Sequence, residues 1–421
     1  MLIDESSDSL FAEDKSVLTS EYVAKRDTTS VHETRKYDVS IQSGQLQIVT
    51  TKEHVPLVHA LDFSSRENMK RKFHFSSRLM GKYIPIRPLV LRSTGLLLAE
   101  LIGDVEGPIV SVGMAEVATG LGNCVHDCLT MINGDVSSVY IHTTRYTLDH
   151  PVAFNFEESH SHAVDQALHM PLKSHHEPFL KAKTLCIVDD EITTGHTAAK
   201  FVTSYLKLNP NIERIIFVTI VDWMSESLLN EVKKVTGRDV EVVSLIDGEF
   251  NFTPNSDYIA KLPPSNGYPV CNISGNPMYG RLGITRYDIE LNEYLRSIDG
   301  ILKGKVLILG TGEFMYMPFL LAEQLEQMGL DVLFLSTARS PLAFGDAIQS
   351  KIVFPCHHGE GVPNYLYNMP QGRTNLIGYE SDTIAHNHVL PSQLNAHVFG
   401  ISNNGNNGTY SFYKIPNRAV V

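Results

Sequence analysis

Tryptophan is almost absent from this 421-residue chain, cysteine is sparse, and no apolar run is long enough to cross a bilayer. Each shortage removes a class of protein. The five cysteines, Cys124, Cys128, Cys186, Cys271 and Cys356, are odd in number and follow no framework spacing. That excludes a disulfide-stapled scaffold and fits reduced thiols in a cytosolic chain. Cys124 and Cys128 flank His126, but a three-residue gap without a second cysteine pair downstream does not make a zinc site, and packing on a helix is expected. Basic side chains are outnumbered, 35 against 47, for a formal net charge of −12. A broad electrostatic footprint on nucleic acid is therefore not expected, whereas a small anionic substrate in a local pocket is compatible. The opening MLIDESSDSLFAEDKS has neither the basic end nor the apolar stretch of a signal peptide, so a cytoplasmic protein is expected.

What is present is the composition of a globular protein, 43% hydrophobic and 19% charged, in a chain too long for one ordinary core. Residues 1–35 are polar without apolar periodicity and read as a mobile tail. From Tyr37, YDVSIQSGQLQIVT alternates as an edge hairpin does, with its turn near Ser43-Gly44. LVLRSTGLLLAELI reads as a helix broken by Gly107-Pro108, and strands are predicted at 109–113, 137–142, 184–188 and 215–221 with helices between. Strands alternating with helices predict an α/β fold with a mainly parallel sheet over residues 36–245. Residues 246–275, rich in Pro, Gly, Asn and Ser, read as a linker. Residues 276–421 read as a second α/β domain: a helix in YDIELNEYLRSI, the strand and glycine turn KVLILGTGEF, a helix opened by Pro318 and stopped by Gly329, and the strand DVLFLS.

The most informative stretch is Thr184 to Thr197, TLCIVDDEITTGHT. An apolar strand delivers Asp189 and Asp190 into a turn of Thr193, Thr194, Gly195, His196 and Thr197, and a helix opens directly behind it. Helix N–H groups and the positive dipole end favour phosphate, Gly195 permits close backbone approach, and the two carboxylates can accept from vicinal sugar hydroxyls. Simple helix capping would need one such side chain, not five. No Gly-Lys-Ser/Thr follows, so this is not a Walker loop.

This stretch resembles the 5-phosphoribosyl 1-diphosphate (PRPP) motif of type I phosphoribosyltransferases. The resemblance implies that Asp189 and Asp190 bind the ribose 2- and 3-hydroxyls and that residues 193–197 bind the 5-phosphate. It also implies a hood over the base, offered by KFHFSSRLMGKYIPIRP with Arg78, Lys82 and Tyr83, for which a basic face packed on its own domain is the equal alternative, and a pyrophosphate loop, offered by Gly113, Met114, Ala115 and Glu116. Magnesium is the expected cofactor, brought by PRPP and held through few protein ligands, with Asp189 and Asp190 as candidates. Arg145, in a polar stretch between the two loops, can grip pyrophosphate oxygens in two places. An ordinary solvated arginine fits it too. Glu191 is the second catalytic candidate, without a role as base assigned to it. Asp222 and Trp223, ending the strand IIFVTIV, are candidates for contacting a nucleobase, and a core tryptophan is the equal alternative. Glu157, Glu158, His160 and His162 form a cluster without the spacing of a transition-metal site. In purine-salvage enzymes the position of Thr193 is often an aspartate; its absence here looks more like the orotate enzymes.

GKYIPIRP, GMAEVATGLG, FEESHSHA and VDDEITTGHT, with GTGEFMYMPFLLAE and LYNM downstream, look like the orotate phosphoribosyltransferase-like family of tellurium-resistance gene clusters. Its members carry a C-terminal domain named for a Thr-Arg-Ser-Pro (TRSP) motif, which here reads Ala338-Arg339-Ser340-Pro341. That resemblance implies a nucleotide-like biosynthetic role. Arg339 is a candidate anion-binding residue of the second domain. GTGEF lacks the third glycine of a dinucleotide fingerprint, which argues against a nicotinamide site. The expected partners are PRPP and a small nucleobase-like acceptor, with neither nucleic acid nor membrane. A homodimer stays open, as do a PRPP-sensing regulator without turnover and a second domain that serves only as a scaffold.

Overall fold

The computed structural model describes residues 33–68, 70–134, 136–156, 166–260, 272–273, 279–287, 295, 298, 302, 304–358, 362–403 and 410–415. Residues 1–32 of the expected N-terminal tail, the Glu157 to His162 cluster, Cys271 and nearly all of the helix expected in YDIELNEYLRSI lie outside the described residues.

The first sheet has seven strands: β1 (Arg35–Ile41), β2 (Gly44–Glu53), β3 (Ile109–Gly113), β4 (Ser138–His142), β5 (Thr184–Ile192), β6 (Arg214–Asp222) and β7 (Val240–Pro254). Their order is β1–β2–β7–β6–β5–β3–β4. Strands β3 to β7 run parallel, and the β1/β2 hairpin adds antiparallel to β7. β3, β4 and the start of β5 are buried on both faces, as the unbroken runs IVSVG and TLCIV require. Helices α1 (Pro88–Ile102), α2 (Thr119–Asn133), α3 (His196–Leu208) and α4 (Glu226–Thr236) cover the sheet. β7 continues through residues 246–254, part of the stretch expected as linker, because Phe250 and Phe252 alternate toward the hood and pack on Phe73.

The second sheet holds β8 (Lys305–Gly310), β9 (Asp331–Ser336), β10 (Thr374–Tyr379), β11 (His397–Asn403) and β12 (Tyr410–Ile415) in the order β9–β8–β10–β11–β12. All pairings are parallel except β11 with β12. Helix α5 (Tyr316–Gln327) starts two residues before Pro318, which occupies its first turn without cost because no intrahelical N–H is needed there. The two domains share one apolar cluster that runs from Leu97 and Leu121 through Met315 and Phe319 to Phe334. Ile86 exchanges backbone hydrogen bonds with Phe334 of β9, and Arg87 and Arg92 of the first domain pair with Glu326 and Glu323 of α5. Cys124, Cys128, Cys186 and Cys356 are buried, and none of them is in a disulfide. Among the described residues no helix is long and apolar enough to cross a membrane.

Candidate active site

Strand register places the site. Gly113 on β3 stands opposite both Val188 on β5 and His142 on β4, and Ile192 on β5 stands opposite Asp222 on β6. Four strands therefore end at one edge of the sheet, and the residues singled out from the sequence leave it side by side, where ligands of parallel sheets gather.

β5 runs further than expected, through Asp189 and Asp190 to Ile192. The Asp190 amide donates to Asp189 Oδ1 at 3.0 Å. Burial, reinforced by the charge of Glu191, pushes the Asp190 carboxyl up to about 7. Glu191 is held by Arg71 at both oxygens, 2.6 and 3.0 Å, and Arg71 lies over the Phe73 ring. Gly195 is the N-cap of α3 at φ +70°, with no side chain to cap the helix; Thr194 Oγ1 reaches the His196 N–H only at 3.5 Å. The threonines thus leave the first-turn N–H groups for another acceptor. A Cβ on Gly195 would stand 2.7 Å from Met224 Sδ and 2.9 Å from Val232 Cγ2. Gly195→Ala is expected to cost about 1–3 kcal/mol through left-handed strain and this crowding, read as a lowered urea midpoint.

At the neighbouring strand end, a Cβ on Gly113 would meet the Tyr140 hydroxyl at 2.3 Å, so only glycine fits. The Met114 amide donates to Val188 O at 3.0 Å and the Ala115 amide to Thr143 Oγ1 at 2.8 Å. These bonds fix the loop. Glu116 pairs at 2.8 Å with Lys82, which is fully buried and also donates to Gly312 O of the second domain at 3.0 Å. Arg145 follows β4, and its amide donates to Glu313 Oε1 at 3.2 Å.

Burial, with the charge of Asp247 adding, pushes Asp222 up to about 6 against the bond it accepts from the Met224 amide. A carboxyl raised above its unfolded value near 4 stabilises the fold while protonated and loses that contribution as pH rises through about 6. Asp222→Asn is therefore expected to raise the melting temperature at pH 8 and leave it unchanged at pH 4. Trp223 is packed into the core, 5% exposed, with its ring 5.0 Å from Phe75 and 5.4 Å from Phe250.

Residues 60–249 match the phosphoribosyl transferase family, and residues 279–394 match the TRSP domain that lies C-terminal to it. The chain belongs to these two-domain phosphoribosyl transferases. Solved structures similar to the transferase include adenine phosphoribosyltransferase of Trypanosoma brucei, at 14% identity over 51% of this chain and 87% of that one, TM-score 0.34. The Giardia lamblia adenine enzyme gives 15% over 37% and 80%, TM-score 0.26. Orotate phosphoribosyltransferase of Mycobacterium tuberculosis gives 14% over 37% and 70%, TM-score 0.23. These overlaps are too loose to carry argument about individual residues. No curated protein matches the chain.

The second domain of the transferase reaches the first domain's site, which sequence reasoning missed. Residues 338–341, the TRSP position, lie against the loop of the hairpin formed by Leu61–Ser65 and Phe73–Ser77. Arg66 Nη2 donates to Ser340 Oγ at 3.3 Å, and the Glu67 amide donates to Pro341 O at 2.9 Å. Tyr83 is buried beside them; burial first, then the charge of Asp190, pushes its phenol far up, while a hydrogen bond with Ser340 acts the other way. Arg281 is buried between Glu313 and Glu380, bonding Glu313 Oε2 at 2.6 Å and the Glu380 oxygens at 2.9 and 2.7 Å. The only sequence signal for this was the co-occurrence of GMAEVATGLG with GTGEF, since partners 274 residues apart leave no periodic trace.

Proposed function

We propose that the transferase moves the 5-phosphoribosyl group of PRPP onto a nitrogen of a nucleobase-like acceptor and releases pyrophosphate, with magnesium. The observation that carries this reading is the register that sets Asp189 and Asp190 beside Gly113 and above the uncapped start of α3. The carbon–nitrogen bond forms at ribose C1 as the bond from C1 to the pyrophosphate oxygen breaks. Asp189 and Asp190 hold the ribose hydroxyls, residues 193–197 hold the 5-phosphate, and residues 113–116 orient the leaving group with Arg145. Catalysis is then positioning plus charge neutralisation. The donor set suits a hard cation: Asp189 and Asp190 offer oxygen ligands, and burial, with the charge of Glu191, is what pushes Asp190 up. Among the described residues no three such side chains converge, so the remaining ligands would be substrate and water. Magnesium bound there would screen the leaving pyrophosphate.

Asp222 is proposed at the base side. Glu191, occupied at both oxygens by Arg71, is proposed to order the hood rather than to take a proton. That occupancy favours a second reading, a PRPP-responsive regulator without turnover. We place the protein in the cytoplasm, in a nucleotide-like biosynthetic route of the tellurium-resistance setting. Calorimetry of PRPP with and without magnesium, followed by pyrophosphate release assays over a panel of bases, decides among these. Binding with release supports the transfer, binding without release for every base supports the regulator, and absence of binding removes both.

A further inference from the structure

One cluster of buried polar side chains is left unexplained by the transferase reading, and it lies where the two domains meet. β8 ends at Gly310 and turns through Thr311 and Gly312, whose φ is +57° and whose amide donates to Thr337 Oγ1 at 2.9 Å. A Cβ on Gly312 would stand 3.0 Å from His357 Cε1, 3.3 Å from His357 Nε2 and 3.6 Å from the Tyr146 hydroxyl. His357 Nε2 and the Tyr146 hydroxyl are both buried, on residues 8% and 2% exposed, and neither has a hydrogen-bond partner. Two orphaned polar atoms thus converge over a glycine that keeps the space open. Each would cost about 1–3 kcal/mol if left unsatisfied.

The surroundings decide what satisfies them. The Arg339 guanidinium lies 5.8 Å from the centre of the Tyr146 ring and the His358 ring 4.6 Å from it. Arg281 is 5.4 Å from the same ring, but its charge is consumed by Glu313 and Glu380. Burial and then the neighbouring His358, His388 and Arg339 hold His357 well below the ordinary range, so its imidazole is neutral. A neutral imidazole bonded at Nδ1 to Asn364, a phenol and a guanidinium together offer hydrogen-bond donors of the kind an oxyanion accepts from. Lys82 ties this cluster to the first domain, since it bonds both Glu116 and Gly312 O.

We propose that Tyr146, His357 and Arg339 form an interdomain site over Gly312 for a phosphate oxyanion. For the identity of its ligand this rests on the transferase reading, which supplies two sources of that chemistry beside Glu116: the departing pyrophosphate and the 5-phosphate of the ribosylated product. The second domain then takes part in the handling of substrate or product, and the Ala338 to Pro341 segment serves both compartments, Ser340 toward Arg66 and Tyr83 and Arg339 toward His357.

The test uses the full chain with Asp189→Asn and Asp190→Asn, which removes the ribose hold of the first site. Pyrophosphate and ribose 5-phosphate are titrated separately by calorimetry. Binding of at least one is expected, weakened about tenfold by Tyr146→Phe, which keeps the ring under Arg339, and by Arg339→Gln, each lost charge-assisted hydrogen bond being worth ~1.4 kcal/mol or more. The probe whose affinity both substitutions weaken identifies the ligand, pyrophosphate assigning the leaving group and ribose 5-phosphate the product. Neither probe binding at millimolar concentration, or unchanged affinity in both variants at unchanged melting temperature, overturns the proposal and leaves the two atoms to ordered water. PRPP titrated into the native chain is a separate measurement, so a failed transferase reading and a failed oxyanion site give different results.

Discussion

Arg281→Ala is expected to destabilise the protein by about 3–5 kcal/mol, because it strands two buried carboxylates. Arg281 and Glu313 are each 1% exposed in their side chains and Glu380 is 2%. Burial alone would push Glu313 up, yet Arg281 and His142 hold its carboxyl below the ordinary range. Without the guanidinium both acids must protonate or drag water inward. A shift of the urea midpoint at pH 7 that shrinks toward pH 4, where the acids neutralise themselves, is the expected signature. Replacing all three by Met, Gln and Gln should recover much of the loss, since a buried ion cluster is worth little over an apolar or neutral substitute. Glu313 also accepts from Thr144 Oγ1, at 3.0 and 2.8 Å, and from the Arg145 amide. The stability lesion should therefore loosen the segment that carries Arg145 as well.

The Asp189→Asn, Asp190→Asn variant is expected to bind PRPP at least about a hundredfold more weakly, two charge-assisted hydrogen bonds at ~1.5–3 kcal/mol each sufficing. Stability should move the other way. Asp190 is raised to about 7, so its ionised form is a burden on the fold that asparagine lacks. The variant should melt higher than the native chain above pH 7 and converge with it below about pH 4. A melting temperature that falls at pH 8 would mean that the pair is structural and would remove the reason for placing ligand chemistry there. Gain of stability with loss of binding is the expected mark of a functional strain.

The legible part of this molecule was local. IVSVG and TLCIV could be read because strands buried on both faces leave unbroken apolar runs, and Gly195 because a strand-to-helix turn of this tightness needs positive φ. Asp189 and Asp190 were readable because chemistry and turn geometry fall in one stretch. Trp223 was not decidable, since its neighbours Phe75 and Phe250 come from a hairpin far upstream and a strand downstream. Residues 246–254 read as linker because the polar face at the end of β7 dilutes the alternation that Phe250 and Phe252 carry. Lys82 read as a hood residue facing a base, yet its ammonium is enclosed by Glu116 and Gly312 O. Ser340 and His357 could not be foreseen in their roles, because each gains its meaning from a residue of the other domain, nor could Arg281, whose partners Glu313 and Glu380 lie far along the chain.

The apolar cluster common to both domains also bears on synthesis. Ile86 and the face of α1 that receives α5 leave the ribosome long before Phe334 and Phe319 exist. At about 5–20 residues per second the wait is some tens of seconds. During that interval the first domain carries a bare greasy flank and an unmatched strand edge, which makes the nascent chain a client for holding chaperones and sets its yield by how quickly the later half arrives.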